Sequence, residues 1–283
     1  MHIGIVHTRY RNAGGEDVAV TRLGAALQSA GHRVSAITAE NPVDNFSTAR
    51  SLIHAPSNRS AVGNVLSQLR SVSPDVVHVH NTWFAISPLV LKEISDAGLP
   101  LVVTLHNYRF VCSNGLLLRE GKECTKCVNS TPLHGIYHAC YRNSRLLSIV
   151  GAATIAKAKR TDFWGSADRV IVHHESINQV AQQVGFDPKK IRLIPHSVSD
   201  PGPRVQSPSQ SKNLLYVGRL SSEKGVDLLL EAFSRLKTEQ MSLTLYGDGP
   251  LRNALQARAT RRVHFAGAVS HETICQAMLR ARA

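Results

Sequence analysis

At 283 residues, with 43% hydrophobic and 19% charged side chains, the chain suits two ordinary domains and is too apolar for a disordered polypeptide. No apolar run reaches the roughly 18 residues of a membrane span, and the opening MHIGIVHTRYRNAGGED passes from a short apolar strand straight into a polar glycine loop, unlike a secretory signal; both features place the protein in the cytoplasm. The net charge of +13 is spread along the chain, which suits phosphorylated small molecules, an anionic membrane surface or nucleic acid without deciding among them.

Strand-like and helix-like stretches alternate from the first residue. His2 to His7 reads as a strand, Asp17 to Ala30 as a helix stopped by Gly31, and Val34 to Thr38 as a strand. Asp75 to His80, Ser87 to Ala97 and Leu101 to Leu105 repeat strand, helix, strand, as do Arg169 to Val172, Ser176 to Val184 and Ile191 to Ile194. Such alternation predicts an α/β fold with a parallel sheet covered on both faces. The proline- and serine-rich stretch from Pro195 to Lys212 breaks the rhythm and reads as a linker. The expected division is therefore 1–195, linker 196–212, and a second Rossmann-like domain over 213–283. Strands at Leu214 to Val217, Leu243 to Tyr246 and Val263 to Ala266 and helices at Val226 to Leu236, Pro250 to Ala259 and His271 to Arg282 fill that second domain. Three strands make a thin sheet, with no strand left for the last helix to cover.

Two glycine loops carry the chemistry. In Asn12-Ala13-Gly14-Gly15-Glu16 the glycines would let backbone approach an anionic ligand at a helix N-terminus, or simply form a tight turn. The nicotinamide spacing G-x-G-x-x-G is absent, which argues against a dehydrogenase. The second loop, Gly218-Arg219-Leu220-Ser221-Ser222-Glu223-Lys224-Gly225, stands at the carboxyl end of a strand, where open α/β sheets bind ligands. There Arg219 and Lys224 suit a diphosphate, whose charge grows as a bond to it breaks.

The stretch from Leu214 to Gly249 resembles the donor-binding domain of the family 4 glycosyltransferases, retaining enzymes of the GT-B architecture. Gly14-Gly15, His106 at the end of a strand, and Gly247-Asp248-Gly249-Pro250 are similar to further landmarks of that family. The resemblance implies two facing Rossmann-like domains that transfer a sugar from a nucleotide-sugar donor to a glycan or lipid-linked acceptor, as in polysaccharide biosynthesis. It also implies that Arg219 and Lys224 hold the diphosphate and that Gly218 and Gly247 shape its site. Gly15 would close on the phosphates or the acceptor. His106 would hydrogen-bond a sugar hydroxyl, unless it is a buried histidine satisfied by backbone. No metal is required for catalysis. The family's usual Pro-Asn-Gly-Val-Asp stands here as Pro195-His196-Ser197-Val198-Ser199, and its two donor-binding glutamates would follow Ala283. A truncated enzyme is therefore expected, the alternative being a catalytically silent nucleotide-sugar-binding fragment. No specific nucleic-acid motif is present.

An insertion over about 107–141 holds Cys112, Cys124, Cys127 and Cys140 in the pattern C-x11-C-x2-C-x12-C. That spacing fits a structural zinc site, with His134 and His138 as substitutes for one thiolate, and free or redox-paired thiols as the alternative. From Arg109 to Arg160 there are nine basic residues against Glu120 and Glu123. A basic amphipathic helix here would either pack on the sheet or rest on an anionic membrane at the inner face of the cell.

Overall fold

The computed structural model describes residues 1–10, 14–41, 52–196, 200, 202–237 and 240–283, in two compact units, Met1–His196 and Ser197–Ala283. Asn12 and Ala13 of the first glycine loop, and Ser197 to Ser199 and Pro201 of the proline- and serine-rich stretch, lie outside the described residues.

The first unit is built on a six-stranded parallel sheet of β1 (His2–Arg9), β2 (Arg33–Glu40), β3 (Val76–Val79), β4 (Leu101–Leu105), β7 (Arg169–Val172) and β8 (Ile191–Leu193). The order is β2-β1-β3-β4-β7-β8. Strands β1, β3 and β4 are almost wholly buried, which is why they read as runs of Val, Ile and Leu without alternation. Helices α1 (Gly15–Ser29), α2 (Arg59–Val72), α3 (Leu89–Asp96), α5 (Arg145–Arg160) and α6 (Glu175–Gln183) connect and flank them.

Helix α2 was not legible as an element, yet it anchors one face of the core. Val62, Val65 and Leu69 recur at helical spacing and are buried, and Asn58 caps its start by accepting the Ala61 N–H at 3.2 Å. Leu69 lies so close over β1 that a Cβ on Gly4 would meet its Cδ2 at 3.1 Å. Helix α1 begins at Gly15, two residues before the predicted start, because Gly14 rather than Glu16 takes the N-cap position.

The insertion contains a hairpin of β5 (Leu118–Arg119) and β6 (Lys122–Glu123) and the short helix α4 (Leu133–Tyr137). Glu120 and Gly121 turn the hairpin with φ of 52° and 73°, as a two-residue type I′ turn requires.

The second unit has a parallel sheet in the order β11 (Val263–Gly267), β10 (Ser242–Tyr246), β9 (Asn213–Val217), with α7 (Val226–Ser234), α8 (Arg252–Arg258) and α9 (His271–Arg280). The outer edge of β9 is not left open. Leu215 donates to the Ala283 carbonyl at 2.7 Å and Arg282 to the Asn213 carbonyl at 2.8 Å. Part of the predicted linker docks on the same corner: Arg204 donates to the Ala281 carbonyl and Gln206 to that of Arg280. No helix of the described residues is long and apolar enough to cross a membrane.

Leu69→Ala should destabilise the first unit by about 2–5 kcal/mol, because the side chain is 1% exposed and its site is closed by strand and helix backbone. Urea unfolding followed by tryptophan fluorescence, which reports Trp83 and Trp164 of this unit, checks the value.

Candidate functional site

Parallel strands stand about 4.8 Å apart, so side chains at their carboxyl ends meet in a row. In the first unit that row is histidine. His7 lies among the last buried residues of β1, His80 follows β3, His106 follows β4, His173 follows β7 and His196 lies beyond β8. Successive ring centroids are separated by 6.3, 5.2, 5.0 and 3.6 Å. His106 is fixed by a 2.9 Å hydrogen bond between its Nε2 and His80 Nδ1. It is thus bonded by a neighbouring imidazole, not by backbone. His173 donates from Nδ1 to the Ile194 carbonyl at 2.7 Å, which leaves its Nε2 buried with no hydrogen-bond partner.

The buried imidazoles of this unit resist protonation. Burial, then the neighbouring imidazoles, pushes His106 down to about 3, and burial above all takes His78 down to about 4. His80 is held well below the ordinary value for the same reasons. A neutral His106 donates or accepts a hydrogen bond and brings no positive charge to a substrate.

The first glycine loop is organised by Asp17. Its carboxylate accepts from Gly14 N–H (2.8 Å), Tyr10 N–H (3.2 Å) and the His7 ring (2.9 Å). Burial alone would raise the Asp17 pKa, but these bonds outweigh it and hold the carboxyl low. Gly15 has open space where a Cβ would stand, so its backbone is free to be approached. Beside it, Glu16 accepts from the Tyr10 hydroxyl at 2.8 Å and is pushed up to about 7, burial being the main cause. Glu16, His80, His106 and Arg109 line one small cavity of about 40 Å³. Arg109 lies 5.4 Å from the Trp83 ring and 5.7 Å from the Tyr10 ring. Glu16, Arg109, His80 and His173 were not singled out in the sequence. A histidine at or just past the carboxyl end of successive strands was the available signal.

In the second unit two strand-to-helix loops lie back to back. Past the end of β9, Gly218 N–H donates to the Tyr246 carbonyl at 2.9 Å and Leu220 N–H to that of Asp248 at 3.0 Å. The approach is possible only without side chains. A Cβ on Gly247 (φ 133°) would stand 1.9 Å from the Gly218 carbonyl oxygen, and one on Gly249 would stand 2.4 Å from that of Leu220. Arg219 and Lys224 are exposed on this platform. Glu223 sits near both: burial pushes its pKa up, but a hydrogen bond from Ser221 and the two cations outweigh that and lower it. Gly225 in the left-handed conformation (φ 62°) then opens α7. The arrangement sets two exposed cations and the N-terminus of α7 at the carboxyl end of a parallel sheet, the setting in which α/β proteins take phosphate groups.

The model of Glycosyltransferase Family 4 matches residues 13–200. The chain belongs to this family. The model of Glycosyl transferases group 1 matches residues 211–283. This family 4 chain is 26% identical over 208 residues to an alpha-D-kanosaminyltransferase of Streptomyces kanamyceticus, covering 70% of this chain and 49% of that protein. It thus spans about half the length of that curated relative. Its fold is similar to that of a sucrose-phosphate synthase from Thermosynechococcus elongatus (TM-score 0.65, 16% identity, 99% of this chain and 73% of that one). It is also similar to the lipopolysaccharide outer core galactosyltransferase WaaB (0.59, 17%, 99% and 72%) and to Anabaena HepE, solved with UDP and glucose (0.56, 16%, 99% and 72%). The GT-B fold is therefore established.

Two groups could hold a metal. The ligand atoms of His106, His173 and His196 all lie within 4.8 Å of one another. The structure also brings Cys112, Cys124, Cys127 and Cys140 together around one small cavity, with His134 and His138 at its wall. Helix α5 of the basic segment buries Ser148, Gly151, Ala152, Thr154, Ile155 and Ala158 and leaves Leu146 and Ile149 exposed.

Gly247→Ala should cost the second unit about 3 kcal/mol or more, since the new methyl overlaps a backbone carbonyl and the φ is unfavourable to it; chemical unfolding checks this. The buried histidines make stability depend on acid. The unfolded chain protonates these rings through about pH 6.5, whereas folded His78 waits until about 4 and His106 until about 3. Their contribution is complete above about pH 6.5 and is lost as the pH falls toward the folded values. Thermal midpoints should therefore drop steeply between about pH 6 and 4, and His80→Gln should flatten that slope by roughly one proton.

Proposed function

We propose that this chain carries the donor- and acceptor-side machinery of a retaining glycosyltransferase that moves a sugar from a nucleoside diphosphate to a glycan or lipid-linked acceptor. The observation that carries the reading is the paired-glycine platform of Gly218, Gly247 and Gly249 with Arg219 and Lys224 exposed on it. Fixed N–H donors and cations are worth most where charge develops, and in sugar transfer that charge grows on the departing diphosphate while the sugar takes oxocarbenium character. In this reading the two cations do the work of a divalent ion, and no metal is needed for turnover.

HepE, solved with UDP and with UDP-glucose, supports uridine nucleotides as the first donors to test. The first unit supplies the other half of the chemistry. A neutral His106, oriented by His80, suits a sugar hydroxyl better than a phosphate. Glu16, whose pKa of about 7 lets it exchange a proton near neutrality, lines the same small cavity as His106, which in this reading serves the acceptor side. The setting is cytoplasmic, with the exposed Leu146 and Ile149 of α5 giving a basic helix an apolar contact for a lipid-linked acceptor's membrane.

Thermal-shift screening against nucleoside diphosphates and their sugars should raise the unfolding midpoint for at least one diphosphate and for its sugar conjugate. The corresponding nucleoside should have little effect. No response to any diphosphate would contradict the reading. With a turned-over donor, NMR of the product should show the anomeric configuration of the donor retained.

A further inference from the structure

We propose that Cys112, Cys124, Cys127 and Cys140 bind one zinc ion in a structural tetrathiolate site that staples the insertion to the first unit. The four side chains come from three separate turns and line a single cavity of about 10 Å³. That is room for a single ion, about the volume one water needs, and far too small for an iron–sulfur cluster. Cys124 and Cys127 follow directly on the β5–β6 hairpin, so the close pair is presented on a tight knuckle with Val128 N–H bonded to the Thr125 carbonyl at 2.9 Å. The spacing of two residues between them is that of structural zinc sites.

Gly135 and Ser113, which also line the cavity, are tightly packed: a Cβ at Gly135 would meet Ser113 Oγ at 3.0 Å. Arg119 lines the cavity with its Nε buried and without a hydrogen-bond partner. A tetrathiolate zinc carries a net charge of two negative, so a buried guanidinium N–H is the kind of group expected beside it. Zinc binding would displace four thiol protons to solvent as four Zn–S bonds form.

The insertion has reason to need a staple. From Ser113 to Cys140 its buried apolar side chains are Leu117 and Val128, and Leu117, Glu120 and Ala139 hold positive φ angles that cost non-glycine residues energy. No three of the sulfurs close to the 4.8 Å spacing of the histidine trio, so ligation would draw the Cys124–Cys127 knuckle inward.

The test is metal analysis of the full chain purified without chelator from zinc-supplemented culture. One zinc per chain and negligible iron are expected. Cys275 should react at once with a thiol reagent, and the other four of the five cysteines only after a strong chelator is added. Cys124→Ser/Cys127→Ser should lose the metal, while His173→Asn should keep it. Because the double variant could fail to fold, cobalt substitution of the unmodified chain gives a second reading, with thiolate-to-cobalt charge transfer and intense visible bands expected. Zinc well below one equivalent with all five thiols reacting at once would overturn the proposal. So would zinc that survives the cysteine substitutions and leaves with His173, or a cobalt spectrum without thiolate charge transfer.

Discussion

The spacing of parallel strands governs this molecule. Each strand ends about 4.8 Å from the next, and all strands of a parallel sheet end on the same side, so one residue per strand is enough to build a continuous row. In the first unit that row is five imidazoles, His7, His80, His106, His173 and His196, contributed by β1, β3, β4, β7 and β8 in their spatial order. Burial, then the charge of neighbouring imidazoles, keeps His80 and His106 neutral, so these two serve as oriented hydrogen-bonding groups and not as a cationic site.

The second unit applies the same geometry to a different end. Its positive groups stay exposed, and what the strands bring together is backbone. Gly218 and Gly247 let the loops after β9 and β10 touch, so that Leu220 N–H reaches the Asp248 carbonyl. On the proposed reading, neutral contacts and a carboxyl poised near neutrality sit on one unit, and exposed cations sit on the other.

The strands and most helices of both units were legible because buried parallel strands are continuous apolar runs and the helices between them end at Gly31, Gly98 and Gly185, all with positive φ. Helix α2 was missed because its three core residues are separated by polar and small side chains, and its cap, Asn58, is unremarkable without the fold. The loop from Gly218 to Gly225 could be read from its glycines and cations alone. By contrast, Glu16 owes its raised pKa to burial, which outweighs the lowering by the Tyr10 hydroxyl and Arg109, and burial is not written in any short motif. The row of histidines needed the strand order, since neighbours such as His106 and His173 are far apart in sequence. The thin three-stranded sheet shows a different limit: the backbone bonds that Arg282 and Ala283 make with β9 are not written in any pattern of the sequence.

The central claim is that the platform around Gly218 and Gly247 binds a diphosphate through Arg219 and Lys224. Isothermal titration of UDP and of uridine into the unmodified chain and into Arg219→Ala/Lys224→Ala tests it most directly. Charge-assisted hydrogen bonds of about 1.5–3 kcal/mol predict that UDP binds at least about tenfold more tightly than uridine, and that the double substitution brings UDP down to uridine's level. Equal binding of UDP and uridine, or UDP binding unchanged by the double substitution, would contradict the account.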